Sequence, residues 1–368
     1  MTYHEEPFMM SNSPNHLRNN NHRRRKRRRS RGRKFFAFTV FLAVTLVFGG
    51  FIFFSDHGEE PSASVNGSAS SVPDLSPTPV VDPTPTDPQP AETWTMTENT
   101  KTVEESFPSE YVILTDLDTG EIIAQKNADA RINPASMTKI LTLLVAVENI
   151  PDTSGTYTMN FDISDYCYVN KCSVVGYLVD EVIPVSELFY GCILNSGADA
   201  CLALADVAAG SHENFVVLMN KKLEELGLSD TAHFTNCVGL YDEEHYCTVG
   251  DIATILKAAL ENEKAREVLS TRVFTISATN KHASPQDMSN WFIRRIEDYD
   301  TGAVDVLYAK TGYVSQSGFC AASGGVTEDG KTYLCVTGKS TSTKQSTHDH
   351  AALYRQYIKS QEAPEASE

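Results

Sequence analysis

The first residues whose types and spacing could do chemistry are Ser136 and Lys139, in Ser136-Met137-Thr138-Lys139. The apolar spacing that follows predicts a helix, and residues three apart on a helix share one face, with Cβ atoms about 5–6 Å apart. A serine hydroxyl becomes an effective nucleophile when a neighbouring base takes its proton, and a neutral lysine amine can be that base. N–H groups at a helix start can also stabilise an oxyanion. The pair therefore indicates acyl transfer, although a helix-capping serine and a solvated lysine would give the same short pattern.

Two further segments strengthen the acyl-transfer interpretation. Ser196 lies between two predicted helices, and Lys310-Thr311-Gly312 ends a predicted strand. A serine-lysine pair, a second serine and a Lys-Thr-Gly strand, in this chain order, form a three-part scheme that converges on one cleft. In that scheme Ser196 relays a proton between Lys139 and the leaving group, while Lys310 and Thr311 hold a substrate carboxylate. Gly312 would let the backbone approach the ligand closely.

The elements that must position these residues predict one α+β domain. Residues 111–126 predict a hairpin around Asp118-Thr119-Gly120. Helix-type spacing occupies the middle of the chain, and strand-like runs with a terminal helix follow it. The predicted helices are 137–149, 185–194, 198–208, 213–226, 249–260 and 347–360, and the later strands are 273–278, 306–310, 317–324 and 332–337.

Composition divides the rest of the chain. Residues 1–34 hold eleven Lys or Arg against two Glu, whereas the whole chain carries a net charge of −17. Residues 35–54 are uncharged and, at about 1.5 Å per residue, would span roughly 30 Å, the thickness of bilayer hydrocarbon. The basic segment would face the cytoplasm, so we expect a single-pass signal anchor in the cell membrane and an extracytoplasmic catalytic domain. A cleaved signal peptide is the alternative, although its apolar region is usually only about 7–15 residues long. The acidic body argues against nucleic-acid binding.

The boundaries follow from the same shifts in composition. Residues 55–106 are rich in Pro, Ser, Thr and Asp and predict a disordered stalk. The catalytic domain is expected over residues 107–361, and residues 362–368 form an acidic tail. The lipid bilayer is thus an expected partner through residues 35–54.

All eight cysteines follow the uncharged segment, in a compartment where disulfides can persist. Cys167 could pair with Cys172, Cys237 with Cys247, and Cys320 with Cys335 across a hairpin, but sequence does not determine the pairing. Small buried thiols are the alternative. The spacings do not favour a zinc site, and we expect no metal and no cofactor.

The sequence resembles the D-alanyl-D-alanine carboxypeptidases, low-molecular-mass penicillin-binding proteins of serine peptidase family S11. The resemblance runs from about residue 107 to residue 357. It rests on six segments, which are residues 133–142, 194–200, 215–220, 226–228, 233–240 and 309–313.

The resemblance implies a penicillin-binding, β-lactamase-like transpeptidase fold, an antiparallel sheet flanked by helices with a helical subdomain. It implies that Ser136 forms the acyl-enzyme, with Lys139 as proton acceptor and Ser196 as proton shuttle. Lys310 would bind the terminal carboxylate of a D-Ala-D-Ala peptidoglycan stem peptide. The N–H groups of Ser136 and Tyr313 would form the oxyanion hole, and β-lactams would acylate Ser136 as covalent inhibitors.

One departure falls inside the site. Ala198 stands where the family pattern usually has Asn, so an amide that would contact the lysine and the substrate is absent. Loss of one such positioned donor costs about 10²–10³ in rate. We therefore expect an active enzyme with an altered rate or substrate preference. The alternatives are a D,D-endopeptidase acting on wall cross-links, a β-lactamase-like hydrolase, whose deacylating glutamate loop we do not find, and an impaired wall-binding scaffold.

Overall fold

A six-stranded sheet forms the centre of the part of the chain that the computed structural model describes, residues 94–359. Its strands lie in the order β1-β3-β2-β10-β9-β8, so β8 is an edge strand. Two small sheets, β4 with β5 and β6 with β7, lie apart from it. The strands are β1 (Thr95–Thr102), β2 (Tyr111–Asp116), β3 (Glu121–Lys126), β4 (Thr156–Thr158), β5 (Val182–Pro184), β6 (Val273–Ile276), β7 (Gln286–Ser289), β8 (Asp305–Val314), β9 (Gly318–Val326) and β10 (Thr332–Ser340).

Strand β1 corrects two expectations. It lies within the range predicted as a stalk, so the folded segment begins before residue 107. It also pairs in parallel with β3, which makes the sheet mixed, whereas the other neighbours in the sheet pair antiparallel. The strand is polar and largely exposed, so edge pairing rather than an apolar pattern holds it, and its sequence signal is weak.

The helices flank this sheet, and the predicted α+β class is confirmed. Six helices of the described segment begin after a residue whose side chain accepts a hydrogen bond from an N–H three residues on, whereas α1, α3 and α4 lack such a cap. The helices are α1 (Thr138–Asn149), α2 (Phe161–Val169), α3 (Val185–Leu194), α4 (Ala198–Ala209), α5 (His212–Glu225), α6 (Val249–Glu261), α7 (Glu263–Ser270), α8 (Trp291–Ile296) and α9 (Thr343–Tyr357).

Two apolar cores cover the two faces of the sheet. Along β10, Leu334 and Val336 face the larger core, which contains α1, α3, α4 and α6, while Cys335 faces the smaller core with α8 and α9. Successive strand residues point to opposite faces, so a strand buried on both sides is apolar throughout. Helix α1 lies in the larger core, where it packs against α3, α4 and α6.

Strand β8 is longer than its apolar run predicts. It continues to Val314 because its pairing with β9 extends to the partner Gly318. Lys310-Thr311-Gly312 thus lies inside the strand rather than at its end. Helix α9 likewise begins at Thr343, earlier than predicted, because the Ser342 side chain caps it.

The structure contradicts one of the cysteine pairings that the sequence suggested. All eight are free thiols in this structure. The prediction that Cys320 and Cys335 face each other is wrong, because the cross-strand partner of Cys335 is Ser323 and the two thiols lie in different cores. Cys172 donates its backbone N–H to the Cys167 carbonyl at 2.9 Å, which closes the short loop between them.

Several expectations lie outside the described residues: the basic segment 1–34, the anchor 35–54, most of the stalk and the acidic tail 362–368. Within residues 94–359, no single helix is long and apolar enough to cross a membrane, and one bent pair, α4 with α5, passes the test by length and composition only.

Candidate active site

Ser136 lies in a single 3₁₀ turn, Ala135–Met137, directly before α1. Asn133 shapes the approach to this turn, because its side-chain oxygen accepts the Ala135 N–H at 3.0 Å. Ala135 adopts a positive φ of 46°, an uncommon conformation for a residue with a side chain. The backbone is thus bent sharply where the candidate nucleophile is presented.

Lys139 extends from the first turn of α1 to the hydroxyl of Ser136. Its Nζ lies 3.0 Å from Ser136 Oγ and 2.5 Å from the Val238 carbonyl oxygen. The side chain is only 2% exposed. The amine is therefore withdrawn from bulk water and aimed at the serine, which is the geometry that a base for this hydroxyl requires.

The loop that contacts Lys139 is built by one asparagine. The side-chain oxygen of Asn236 accepts N–H groups from Val238 at 3.2 Å, Gly239 at 2.7 Å and Leu240 at 3.0 Å. These bonds curl residues 236–240 into a tight turn that directs the Val238 carbonyl at Lys139. The sequence indicates this segment only as part of a family resemblance and assigns it no role.

Gly239 packs directly against the serine turn. Its φ is +78°, and a Cβ there would lie 2.0 Å from the Ala135 carbonyl oxygen and 2.9 Å from Ser136 N. Only a residue without a side chain fits both the conformation and the space. This contact therefore fixes the position of the serine turn, residues 135–137, relative to the loop of residues 236–240.

Ser196 forms the second half of the site with Lys310. Ser196 adopts a positive φ of 54° in the turn between α3 and α4, and its hydroxyl lies 3.0 Å from Lys310 Nζ. Lys310 also donates to the Thr311 carbonyl at 2.7 Å. Burial, and secondarily the charge of Lys139, lower the pKa of Lys310 to about 7. A small change in its surroundings would therefore change its charge near neutral pH.

Residues from both halves of the site converge on one cleft along β8. Ser136, Ser196, Thr311 and Gly312 line a cavity of about 190 Å³. Because β8 is an edge strand, the cleft lies beside a strand that pairs with another strand of this sheet on one side only. Gly312 allows β8 to approach the serine turn closely, since a Cβ at this position would lie 2.9 Å from Ser136 N.

Two aromatic side chains, Tyr313 and Phe319, line the cleft. Tyr313 is 54% exposed, and its ring stacks on Phe319 with centroids 4.4 Å apart. Tyr313 follows Gly312 on the same strand, so its backbone lies beside the serine turn. The structure thus brings every sequence-predicted site residue to this cleft.

Ala198 lies beside Lys139 without contributing a polar side chain. It is 1% exposed, and its methyl group lines a cavity of about 510 Å³ together with Ser136 and Lys139. Its N–H donates to the Ser173 carbonyl at 2.8 Å. Lys139 is held instead by the Val238 carbonyl, on the opposite loop.

Asp199 fixes the loop that runs past Ala198. Its buried carboxylate accepts the N–H groups of Val175 at 2.9 Å, Gly176 at 2.9 Å and Tyr177 at 3.2 Å. The hydroxyl-bearing Ser173 is thereby held on the wall of both cavities. Sequence reasoning did not identify this loop, because its residues carry no motif. Within residues 94–359 no group of three or more His, Cys, Asp or Glu could hold a metal ion.

This arrangement agrees with a comparison to known families. Residues 97–341 match the family model for D-alanyl-D-alanine carboxypeptidase, peptidase S11. The chain belongs to this family. A D-alanyl-D-alanine carboxypeptidase of Bacillus subtilis is 30% identical over 243 residues, which cover 66% of this chain and 60% of the relative. A D-alanyl-D-alanine carboxypeptidase of Streptomyces is 32% identical over 61% of this chain and 78% of the relative. A D-alanyl-D-alanine carboxypeptidase of Escherichia coli is 36% identical over a segment that covers 45% of this chain and 43% of the relative.

Solved structures show the same carboxypeptidase-family fold. The DD-transpeptidase of Streptomyces K15 superposes with a TM-score of 0.62 at 26% identity, covering 69% of this chain and 98% of that one. A D-alanyl-D-alanine carboxypeptidase of Mycobacterium tuberculosis gives a TM-score of 0.60 at 21% identity over 73% and 97%. The chain spans less than two thirds of the Bacillus and Escherichia relatives. The solved structures, in contrast, match along almost their whole length.

Proposed function

We propose that this chain is a serine-type D-Ala-D-Ala carboxypeptidase that removes the terminal D-alanine from peptidoglycan stem peptides. The observation that carries the proposal is the pair of matched contacts, Lys139 Nζ to Ser136 Oγ and Lys310 Nζ to Ser196 Oγ, each 3.0 Å, around one cleft. Family membership supports the same chemistry.

Acylation begins at Ser136. As its Oγ attacks the carbonyl carbon of the penultimate D-alanine, its proton passes to the amine of Lys139, which acts as the general base. The N–H groups of Ser136 and Tyr313 receive the developing oxyanion. Ser196 then passes a proton from Lys139 to the leaving amine, the C–N bond breaks, and free D-alanine departs.

Deacylation consumes one water molecule. The water attacks the ester carbonyl, its proton returns through Lys139, and Ser136 regains its hydroxyl as the shortened peptide leaves. Lys310 and Thr311 orient the substrate through its terminal carboxylate, which stabilises the charged form of Lys310. A β-lactam, which carries an equivalent carboxylate, would acylate Ser136 in the same way and act as a covalent inhibitor.

Ala198 affects the rate more than the reaction in this proposal. The Val238 carbonyl and the Ser136 hydroxyl already hold the Lys139 amine, so the absent family amide removes one contact among several. We expect slower acylation than with an asparagine and no change in the bond that is broken.

A fluorescent penicillin tests the proposal first. The purified chain should give a covalent fluorescent band, and Ser136→Ala should abolish it while Ser173→Ala, which removes another hydroxyl from the same cleft, should retain it. Absence of a band in the wild type would favour a non-catalytic wall-binding scaffold.

Peptide substrates then separate the hydrolytic alternatives. A pentapeptide ending in D-Ala-D-Ala should release D-alanine, and a cross-linked stem-peptide dimer should remain intact. Cleavage of the dimer without D-alanine release would assign a D,D-endopeptidase instead. Rapid turnover of the penicillin with a short-lived band would point to a β-lactamase-like hydrolase.

We further propose that residues 35–54 tether the catalytic domain to the cell membrane, with the domain outside. The proposal rests on the uncharged run and the basic residues before it. The full-length protein should stay in the membrane pellet after alkaline carbonate washing and be digested by protease added to protoplasts. Release into the soluble fraction would contradict the anchor.

A further inference from the structure

Two buried thiols meet at the base of the turn that carries Ser196. Cys192 lies in α3 and Cys201 in α4, and their sulfur atoms are 3.2 Å apart. Both residues are 0% exposed. This pairing is not among those that sequence spacing suggested, because the two residues belong to two different helices and only the helix packing brings them together.

The two helices approach closely at this level. A Cβ added at Gly191 would lie 3.0 Å from the Cβ of Ala200, so the residues next to Cys192 and Cys201 leave almost no space between the helices. Gly197 also donates its N–H to the Gly191 carbonyl at 3.0 Å. A backbone hydrogen bond and close side-chain packing thus hold α3 and α4 together at the same level, next to the turn that carries Ser196.

From this contact we infer that Cys192 and Cys201 form an intramolecular disulfide that braces the Ser196 turn. The sulfur atoms need to approach by only about 1.2 Å to reach the length of an S–S bond. The bond would close a ring whose apex is Ser196, directly opposite Lys310. It would also stiffen the wall beside α1, since Cys192 Sγ lies 3.9 Å from the Lys139 carbonyl oxygen.

The reaction needs an external disulfide as oxidant. The two thiols lose two protons and two electrons, and the external disulfide is reduced to two thiols through a mixed disulfide. Burial raises the pKa of Cys201 well above its usual value, so its thiolate is scarce once the helices have packed. The bond should therefore form during folding in the presence of a disulfide donor rather than in the finished fold.

Mass mapping of the wild-type chain tests the bond directly. Protein refolded with oxidised and reduced glutathione is denatured, alkylated and digested without reduction. A peptide that joins Cys192 to Cys201 is the expected result. Full alkylation of both cysteines in soluble, monomeric protein would overturn the inference and leave a buried thiol pair in the core.

Thermal unfolding tests the bracing. Reduction should lower the Tm of the wild type by about 5–10 °C, as expected for a ring of this size in a domain of this length. The Cys192→Ala/Cys201→Ala double variant should show no shift on reduction, whereas Cys335→Ala, which removes a buried thiol from the other core, should keep it. An equal shift in the double variant would refute the assignment.

The consequence for Ser196 is measured by penicillin acylation. Reduction should slow acylation of the wild type at least threefold and leave the double variant unchanged. An unchanged wild-type rate would refute the bracing role. The peptide map and the Tm do not depend on the proposed reaction, so failure of the carboxypeptidase assignment and failure of the disulfide are distinguishable.

Discussion

Replacement of Gly239 by alanine is the sharpest perturbation that the structure offers. The added Cβ would lie 2.0 Å from the Ala135 carbonyl oxygen and 2.4 Å from its carbon, far inside van der Waals contact. Relief requires the serine turn to move by more than about 1 Å, and a displacement of that size costs on the order of 10² in rate. The left-handed φ of +78° adds about 1–2 kcal/mol of strain. We expect Gly239→Ala to acylate with a fluorescent penicillin at least 100-fold more slowly than the wild type.

Gly210 provides the matched control. Its φ of +76° imposes the same conformational cost, but a Cβ there meets nothing within 4 Å. The backbone strain in Gly210→Ala should therefore lower its Tm about as much as the backbone strain in Gly239→Ala does. The acylation rate of Gly210→Ala should stay within about twofold of the wild-type rate. If Gly239→Ala acylated at the rate of Gly210→Ala, the packing of Gly239 against the serine turn would not position Ser136, and the reasoning would be refuted.

Three further predictions concern the amide, the lysine and the buried histidine. Ala198→Asn should raise the acylation rate at least tenfold, because the new side-chain amide supplies a hydrogen-bond donor of the kind whose removal lowers the rate by about 10²–10³. A lower rate would mean that the site has adapted to the small side chain. Acylation should fall above about pH 7, where Lys310 loses its charge, because its pKa is lowered to about 7. A flat profile from pH 6 to 9 would contradict this, and Lys310→Arg should move the alkaline limb upward. Burial lowers the pKa of His350 to about 3, so the unfolded chain binds this proton first as the pH falls. Between pH 6.5 and 3, His350 should therefore lower the free energy of unfolding by up to about 1.4 kcal/mol per pH unit, in addition to the contribution of other buried groups. Urea unfolding should show a smaller slope in His350→Gln, whereas the exposed control His348→Gln should keep the wild-type slope.

The residues proposed to carry the chemistry can be picked out from the sequence because their signals are local. The serine-lysine pair follows from helix spacing, and the Lys-Thr-Gly segment follows from a strand next to turn residues. The bounds of the six predicted helices agree within a few residues, whereas the short helices α2, α7 and α8 were not predicted. These signals need no knowledge of which elements meet.

The residues that sequence reasoning missed act across the fold. Asn236 directs the Val238 carbonyl at a lysine about a hundred positions away in the chain, and Asp199 holds a loop that precedes it. The thiols of Cys192 and Cys201 meet only because α3 and α4 pack together. Strand β1 was missed because a polar edge strand lacks the apolar alternation that marks half-buried strands.

The proposed reaction depends on Ser136 as the nucleophile of acyl transfer. Its most direct test is peptide mapping of the chain after incubation with penicillin. We expect one penicillin per molecule, attached to the peptide that contains Ser136, and no adduct in Ser136→Ala. An adduct on another residue, such as Ser196 or Ser173, or an adduct that persists in Ser136→Ala, would contradict it.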